Sequence, residues 1–500
     1  MNEYGGGETL DRLIIEGGLV VYGENRFSVA KADVIVVDGA ITEIRPPSGG
    51  TGGRAAGGRA TGGDGAIDGA IVINAEGKTV IPGLVNAHYH SYANLVKGLA
   101  PTVPLEEWML YIMEQGNLLT PDDMYWNAML GAVEMIRTGT TAVIDHLAQG
   151  RQALGAAMQA YGGAGMRACI APMISDKTYA STLPLDDATA EELLGPPTVT
   201  PAAGLISMTV DLFREWNGRR GRLSVGFGPS GPQRCSDSLI TECARLAREY
   251  GAPLHTHVLE TRAQAQTAER LYGVPMVRHL DRLGALGPNT SLAHGVWLND
   301  EEISLAADRG AIAVHNPASN FLIGSGIAPV NKYRKAGTPL ALGTDGANAC
   351  GNPSMFDSMK LAAMIHNRLD DAPEGWLTTE DVFRIATAGG ATAFGRPARF
   401  GSISPGKRAD IVILNPARSL SLTPDNSLFW QLVHGKPSDA VETVIIEGHP
   451  VMVNGVMTTV SEEKVRREAL ERGERIRSKF MRMKPAIDER AARLRLALRG

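Results

Sequence analysis

Histidine and aspartate residues stand at the ends of several short apolar runs of this 500-residue chain. They are His88 and His90, His255 and His257, His294, His315 and Asp345. Residues two apart on a β-strand point to the same side, so a strand that ends in His88-Tyr89-His90 presents both imidazoles to one place. Neutral imidazole together with carboxylate suits Zn²⁺ or Fe²⁺ and disfavours Mg²⁺ or Ca²⁺. The pattern therefore predicts a site for a divalent metal ion.

A catalytic zinc site needs about three or four nitrogen or oxygen ligands and leaves one position open for water. Two imidazoles from the run with His88 and His90, one from the run with His255 and His257, and the carboxylate of Asp345 would supply that set. We expect Zn²⁺, with Fe²⁺ as the alternative. His255 is expected to pack or to support a ligand rather than to bind metal. His146 is expected either to line the pocket or to support a ligand.

The elements that must position these residues are short apolar strands alternating with helices. Eight β-type runs lie between residues 81 and 400, and amphipathic helical patterns such as PDDMYWNAMLGAVEMIRTG and DSLITECARLAREYG stand between them. This alternation implies a parallel sheet covered by helices. Eight repeats predict an α/β fold, a (β/α)8 TIM-like barrel, whose active site lies at the carboxyl ends of the strands. The histidines named above stand at those ends.

Two β-rich segments flank the predicted barrel, at residues 1–80 and 401–460. We expect them to form one small β-sandwich domain built from both chain ends. A glycine-rich stretch at about 49–69 has no periodic apolar pattern and is expected to be a flexible insertion without a catalytic role. Residues 461–500 read as a charged helical tail on the barrel exterior, interrupted at Pro485.

Composition limits the partners and the location of the chain. It has 49 Lys and Arg against 54 Asp and Glu, a net charge of −5, which argues against nucleic-acid binding through net charge. No secretory signal and no uncharged run of the roughly 18 apolar residues that cross a bilayer are visible, so no membrane association is expected. Four cysteines, none in a CxxC pair, are typical of a reducing cytoplasm.

Several segments together resemble the amidohydrolase superfamily: PGLVNAHYH, HTHVLE, the His294-Gly295 step, HNPASN and LGTDG. The segment GSISPGKRADIVILN resembles the return of that family into its β-domain. The resemblance covers the chain from about residue 10 to 460. It is nearest to the branch of deaminases and chlorohydrolases, which includes S-adenosylhomocysteine deaminase, 8-oxoguanine deaminase and the triazine hydrolases.

The resemblance implies a role for each matching position. His88, His90, His257 and Asp345 match the metal ligands of strands 1, 5 and 8. Glu260 matches the glutamate that passes a proton to a ring nitrogen, and His294 matches a histidine that contacts the activated water or the substrate. The binuclear members carry a bridging lysine on strand 3 or 4. Neither RACIAPM nor LSVGFGPS contains lysine, so one metal ion is expected.

These residues suggest a hydrolytic mechanism. A divalent metal ion lowers the pKa of water toward neutrality. We expect Asp345 to accept the proton of the water as general base, Glu260 to protonate a ring nitrogen, and His294 to stabilise the developing oxyanion. Candidates for substrate binding come from the loops after strands 1, 4 and 7. They are Tyr92, Asn94, Trp108, Gln233, His315, Ser319 and Asn320.

The predicted activity is a metal-dependent deaminase that replaces an amino group on a small nitrogen heterocycle of purine, pyrimidine, pterin or triazine type. An alternative keeps the same site and hydrolyses a C–Cl, urea, amide or thiocarbamate bond. A remoter alternative is a non-catalytic barrel that serves as a scaffold, although such proteins lack ligands that are present here. By analogy with the family, the protein is expected to be a homodimer or a larger homo-oligomer.

Overall fold

The computed structural model describes residues 12–24, 26–47, 70–183, 185, 187–194, 199–367 and 373–498. The predicted glycine-rich insertion at 49–69 lies outside the described residues. The first strands of the chain belong to the segment that precedes the barrel. They are β1 (Arg12–Tyr22), β2 (Ser28–Val37), β3 (Ala40–Arg45), β4 (Ile71–Asn74) and β5 (Thr79–Pro82).

Parallel strands form the centre of the molecule. They are β6 (Leu84–Tyr89), β7 (Thr140–Leu147), β8 (Arg167–Ile174), β9 (Leu223–Val225), β10 (Gly228–Pro229), β11 (Leu254–Val258), β12 (Thr290–His294), β13 (Ile312–His315) and β14 (Leu340–Leu342). Strands β6 to β10 pair in one sheet and β11 to β14 in a second, all in parallel register. Strands β9 and β10 share the fourth predicted strand position.

Helices connect these strands and cover them. They are α1 (Leu105–Asn117), α2 (Pro121–Arg137), α3 (Arg151–Ala164), α4 (Asp187–Leu194), α5 (Ala202–Trp216), α6 (Asp237–Glu249), α7 (Arg262–Tyr272), α8 (Met276–Arg282), α9 (Asp300–Arg309), α10 (Pro317–Leu322), α11 (Val330–Ala336), α12 (Ala347–Cys350) and α13 (Met355–Ile365). Helices α2 and α6 occupy the two segments whose apolar spacing predicted them. A capping box between Thr120 and Asp123 fixes the start of α2.

The two parallel sheets join at both edges. At one edge Phe227 bridges to Leu254, and the amide of His255 donates to the carbonyl of Phe227 at 2.9 Å. At the other edge the amide of Asp345 donates to the carbonyl of His88 at 2.9 Å. The strands thus close into a barrel, and the second junction brings the end of β14 against the end of β6. The predicted α/β fold with parallel strands is confirmed.

The chain continues after α13 with α14 (Thr379–Arg384), a π-helical turn (Ile385–Gly389), α15 (Gly390–Ala393), β15 (Ile411–Leu414), α16 (Leu428–His434), β16 (Val441–Ile446), β17 (His449–Val453), β18 (Val456–Met457) and α17 (Glu462–Ala497). Strands from the segments on either side of the barrel pair in a single sheet. The strand order is β18-β17-β16-β15-β5-β1-β2-β3, with β4 beside β1. Both chain ends contribute to this sheet, because β15 runs antiparallel to β5. A two-layered sandwich is not confirmed, since the described strands form one hydrogen-bonded sheet.

Helix α17 corrects the expectation of a break at Pro485. It runs unbroken from Glu462 to Ala497 with Pro485 inside it. Side chains on both sides of the proline, Phe480 and Ile487, are buried against α1, so tertiary packing holds the two halves in one helix. Among the helices that the structure describes, none combines the length and apolar character of a membrane span.

A buried ion-pair cluster fastens the barrel to the nine-stranded sheet. Arg167, at the start of β8, donates from Nε to Asp410 Oδ2 at 2.6 Å and from Nη2 to Oδ1 at 2.9 Å. Its Nη2 also donates to the carboxylate of Glu447. The three side chains are at most 7% exposed. Removal of the cation would leave the buried Asp410 carboxylate without its ion pair, while Glu447 would keep its pair with Arg408 at 2.6 Å.

We expect Arg167→Met to lower the free energy of unfolding by about 3–5 kcal/mol, because a broken buried pair leaves uncompensated charge. The control is Arg309→Met, which removes a half-exposed pair with Asp281 and should cost less than about 1 kcal/mol. Urea unfolding of both variants gives the comparison. Equal destabilisation by the two substitutions would contradict the role assigned to this cluster.

Candidate metal and active site

Side chains from four separate strands meet at the carboxyl end of the barrel. His88 belongs to β6, His257 to β11 and His294 to β12, while His90 and Asp345 come just after β6 and β14. Ligand atoms of His88, His90 and His257 all lie within 4.8 Å of one another, as do those of His88, His294 and Asp345. The structure thus brings together the four residues that the sequence proposed as ligands, with His294 beside them.

The converging atoms are close enough to share one cation. His90 Nε2 lies 3.2 Å from Asp345 Oδ1 and 3.3 Å from His257 Nε2. His88 Nε2 lies 3.6 Å from the same carboxylate oxygen and, although buried, has no hydrogen-bond partner among the described residues. Two ligands about 2.0–2.1 Å from one tetrahedral Zn²⁺ lie about 3.3 Å apart, so the observed spacing fits such an ion.

The other ring nitrogens fix the orientation of these imidazoles. His90 Nδ1 donates to the carbonyl of His146 at 2.5 Å, and His257 Nδ1 donates to the carbonyl of Ser230 at 2.6 Å. A carbonyl only accepts, so Nδ1 carries the proton and each Nε2 presents a lone pair to the other. Facing lone pairs at this distance repel one another unless a cation lies between them. Such outer hydrogen bonds are typical of metal-binding histidines.

His255 orients the third imidazole. Its Nε2 lies 2.7 Å from His88 Nδ1, and its own Nδ1 lies 2.6 Å from Ser291 Oγ. These two contacts hold the His88 ring with Nε2 toward Asp345. His255 therefore contacts a proposed ligand, as the sequence interpretation allowed. Ser291, which contacts His255, could not be predicted from the sequence.

The protonation states suit a cation. Burial lowers the pKa of His88 to about 3, and burial with the neighbouring imidazoles lowers the pKa of His257 and His255 well below the usual range. Burial disfavours the charged form of Asp345 too, but the neighbouring His88, His90 and His294 hold its pKa well below the usual range. Neutral imidazoles and an ionised carboxylate are the forms that bind metal.

Asp345 is held by its own neighbours. Ser319 Oγ donates to Oδ2 at 2.5 Å, and the amide of Gly346 donates to Oδ1 at 2.7 Å. The backbone of Asp345 has φ +67°, a conformation that non-glycine residues seldom adopt. Gly343 permits the approach of this segment to β6, because a Cβ at that position would lie 2.9 Å from the Cβ of His88.

Two further residues at this site, His294 and Leu259, have a positive φ. His294 has φ +75°, and Leu259, which precedes Glu260, has φ +50°. Conformations of this kind cost about 1–3 kcal/mol each and persist where the surrounding structure fixes them, often at active sites. They aim His294 and Glu260 into the barrel mouth.

Glu260 lies beside His294 and is protonated more readily than an ordinary glutamate. Its Oε1 is 3.8 Å from His294 Nδ1 and accepts from Ser325 Oγ at 3.3 Å. Burial raises the pKa of Glu260 to about 7; His294 opposes the shift and Asp345 adds to it. His294 Nδ1 also lies 2.9 Å from Asn320 Oδ1, so it is the donor in that contact. A carboxylic acid with this pKa can donate a proton near neutrality.

Three of the predicted substrate-binding residues contact the central group. The Tyr92 ring stacks on His90 with centroids 5.3 Å apart, and Asn320 contacts His294. Ser319 donates to Asp345, so its hydroxyl is already used by a catalytic candidate rather than free for a substrate. The sequence offered no way to separate these two uses of a serine.

The other four predicted substrate-binding residues do not contact the central group. Asn94 uses its whole amide within the protein, since Nδ2 donates to the carbonyls of Ser91 and Asn127 and Oδ1 accepts from Tyr89. Trp108 is buried in the hydrophobic core.

The last two lie near the group without a contact to it. His315 ends β13, and its Nε2 lies 3.1 Å from that of His366. Gln233 is buried on the loop after β10, and its Oε1 has no hydrogen-bond partner among the described residues.

A large cavity borders Tyr92, whose ring stacks on His90. It has a volume of about 1270 Å³, and Tyr92, Met113, Tyr179, Arg234 and Arg270 are among its lining residues. In the sequence Arg234 stands out as a cation near a strand end, although a surface position is an equally good interpretation there. Its place in the cavity wall follows from the loop after β10, which only the folded chain defines.

We expect Ser319→Ala to lower kcat about tenfold or more while metal content stays unchanged, because loss of one charge-assisted hydrogen bond to Asp345 costs about 1.5–3 kcal/mol. The control is Ser304→Ala on α9, whose hydroxyl bonds only to the carbonyl of Asp300. Steady-state kinetics and metal analysis of both proteins give the comparison. A normal kcat in Ser319→Ala would show that Ser319 does not hold Asp345.

Several known proteins are similar to this chain in sequence and in fold. A model described as the Amidohydrolase family matches residues 79–451. A 5′-deoxyadenosine deaminase of Methanothermobacter thermautotrophicus is 35% identical over 406 residues, which are 80% of this chain and 87% of that protein. A 5-methylthioadenosine/S-adenosylhomocysteine deaminase of Thermococcus onnurineus is 34% identical over 447 residues, 88% of this chain and 94% of that protein.

A solved structure agrees with the architecture. The adenosine deaminase of Xanthomonas campestris, with bound zinc, superposes with a TM-score of 0.80 at 26% sequence identity. The superposition covers 93% of this chain and 98% of that one. These similarities extend over the barrel and the flanking sheet.

Proposed function

The chain belongs to the amidohydrolase family, and from this premise we propose that it hydrolyses the exocyclic amino group of a 5′-modified adenosine. It is a hydrolytic enzyme of the deaminase type that acts on a small molecule. The proposed substrate class is that named for the relatives from Methanothermobacter thermautotrophicus and Thermococcus onnurineus. The observation that carries the proposal is Glu260, a readily protonated acid beside His294 at the edge of the candidate metal site.

Deamination of an aminopurine needs three things from the protein. A nucleophile must reach the carbon that bears the amino group, the adjacent ring nitrogen must receive a proton, and the leaving amine must be protonated. An acid and a base of opposite protonation state near neutrality supply the two proton transfers. Glu260, with its raised pKa, and Asp345, with its lowered pKa, form such a pair.

We infer that His88, His90, His257 and Asp345 hold one Zn²⁺ ion. The lone pairs of the histidines converge, their outer nitrogens are tied, and the lack of lysine in β8 and β9 favours a single ion. Such an ion supplies an acidified water as the nucleophile. The zinc in the Xanthomonas campestris adenosine deaminase agrees with this choice.

The protein groups divide the remaining work. Asp345, fixed by Ser319 and Gly346, accepts the proton of the attacking water and later delivers it to the departing amine. Glu260 donates a proton to the ring nitrogen next to the reacting carbon, and it recovers a proton from the added hydroxyl as the carbonyl forms and the amine leaves. His294, whose Nδ1 is oriented by Asn320, presents Nε2 to the oxygen that adds to the ring.

Removal of divalent metal is expected to abolish turnover, since activation of water is the role assigned to the ion. Prolonged dialysis against a chelator should reduce ammonia release to background, and Zn²⁺ should restore it. Metal analysis by mass spectrometry checks the stoichiometry and should give one ion per chain. Full activity in protein with far less than one ion per chain would overturn this assignment.

A substrate panel tests the reaction itself. The metal-loaded enzyme is incubated with 5′-deoxyadenosine, 5′-methylthioadenosine, guanine and a chlorinated triazine, and ammonia and chloride are measured in parallel. We expect ammonia from the two adenosine derivatives and no chloride. Chloride release without ammonia would favour the alternative, a hydrolase of C–Cl or related bonds.

Further expectations stay as proposals. We propose that the nine-stranded sheet curls into the predicted two-layered β-sandwich, since buried residues from β1, β2, β5, β15 and β16 share one core cluster. The proposed domain limits are those from the sequence: residues 1–80 and 401–460 for the β-domain, 81–400 for the barrel and 461–500 for the helical tail. Four free cysteines support a reducing cytoplasm. Light scattering tests the expected homodimer or larger assembly.

A further inference from the structure

The cavity described above borders the candidate metal site through Tyr92, and several cations line it. Tyr92 stacks on His90 at one end, and Arg234 lines the same cavity on the loop that follows β10. The start of that loop is tied to the site, because the carbonyl of Ser230 accepts from His257 Nδ1 at 2.6 Å. The position of Arg234 relative to the metal ligands is therefore set by four residues of chain.

The Arg234 guanidinium lacks a counter-ion in the part of the chain that the structure describes. No ion pair involves it there, and its buried Nε has no hydrogen-bond partner. Its neighbours are aromatic: its Cζ lies 5.7 Å from the centroid of the Tyr179 ring. Burial without an anion lowers the pKa of Arg234 and is energetically unfavourable.

Two other arginines in the cavity lining have partners within the protein. Arg490 pairs with Glu114 at 2.8 Å, and Arg270 Nη2 donates to the carbonyls of Ser181 and Leu183. Lys177 lines the cavity as well. The lining thus holds four cations against the two carboxylates of Glu114 and Glu191, and Arg234 is a part-buried cation there that has no counter-ion among the described residues.

We propose that Arg234 binds an oxyanion, a carboxylate or a phosphate, on the part of the substrate remote from the reacting ring. A guanidinium matches both groups through paired N–H donors. A substrate whose ring lies at Glu260 and His90 extends past Tyr92 into the cavity, where its 5′ substituent reaches Arg234. The inference rests on the proposed deaminase function and deepens it, because it selects anionic over neutral 5′ substituents.

The test compares, on four proteins, two nucleosides that carry an oxyanion, called anionic below, with two whose 5′ substituent has no charge. S-adenosylhomocysteine carries a carboxylate beside an ammonium group and adenosine 5′-monophosphate carries a phosphate, while 5′-methylthioadenosine and 5′-deoxyadenosine have uncharged 5′ substituents. The proteins are the wild type, Arg234→Leu, Arg234→Lys and the control Arg245→Leu, which removes an exposed guanidinium from α6. Ammonia release gives kcat/KM, and equilibrium binding gives Kd for the same ligands.

We expect Arg234→Leu to lower kcat/KM and to weaken binding about 10- to 100-fold for one of the anionic nucleosides, the one that identifies the oxyanion. The neutral nucleosides should change less than about threefold. Arg234→Lys should recover part of the loss, and Arg245→Leu should match the wild type. An equal loss for neutral and anionic ligands, or no loss, would overturn the inference.

The outcomes separate the two proposals. Absence of ammonia from all four nucleosides with metal-loaded wild type would reject the proposed function, and the binding data would still decide the role of Arg234. Turnover of the nucleosides with no dependence on Arg234 would reject this inference alone. Thermal unfolding of each variant shows whether it is folded. If Arg234→Leu does not fold, the Arg234→Lys variant still tests the inference.

Discussion

Asp345→Asn is expected to reduce kcat about 10⁴-fold. Loss of a general base typically lowers the rate about 10²- to 10⁴-fold, and we expect the upper end because Asp345 is also proposed to hold the metal. The amide cannot accept the proton of the attacking water, and its Oδ1 is a weaker ligand than a carboxylate. The hydrogen bonds from Ser319 and Gly346 show that the protein fixes both carboxylate oxygens. Steady-state ammonia release and metal analysis measure the two consequences separately.

The control for this substitution is Asp300→Asn, which changes a surface carboxylate that pairs with Lys332. It should leave both kcat and metal content at wild-type values. If Asp345→Asn keeps its metal and its rate, the active site lies elsewhere and the proposed mechanism is wrong.

Glu260→Gln is expected to lower kcat about 10²- to 10³-fold with the metal retained, because the acid that protonates the ring nitrogen is lost. The wild type should also show a pH dependence of the corresponding sign. Glu260 has a raised pKa of about 7 and is proposed to act in its protonated form, so kcat/KM should fall as pH rises through that value. The glutamine variant should lack this decline. Glu301→Gln, on the exposed face of α9, serves as the control.

Near-normal turnover in Glu260→Gln would exclude Glu260 as the proton donor. A pH decline that persists unchanged in the variant would assign that titration to another group. The kinetics and the pH profile therefore test the role of Glu260 independently of the metal site.

The positions of the proposed ligands could be predicted because two simple periodicities determine them. Alternation along β6 puts His88 and His90 on one side, and the repeated strand-helix unit puts His257 and Asp345 at the same end of the barrel. Both rules depend on local sequence. They required no knowledge of which side chains touch.

The supporting contacts could not be predicted, because they join residues far apart in the chain. Ser319 reads as a substrate contact, yet it donates to Asp345. Asn94 reads the same way, but Tyr89 and Asn127 occupy its amide. Pro485 predicts a break in α17, yet packing of Phe480 and Ile487 keeps the helix whole. In each case a tertiary contact outweighs the local preference.

The most direct test of the central claim is deamination of 5′-methylthioadenosine in ¹⁸O-labelled water. Hydrolytic replacement of the amino group predicts one ammonia per product molecule and one ¹⁸O atom on the purine ring, seen by mass spectrometry. Release of free base without ammonia, or a product without ¹⁸O on the ring, would contradict a deaminase that uses water at the candidate metal site.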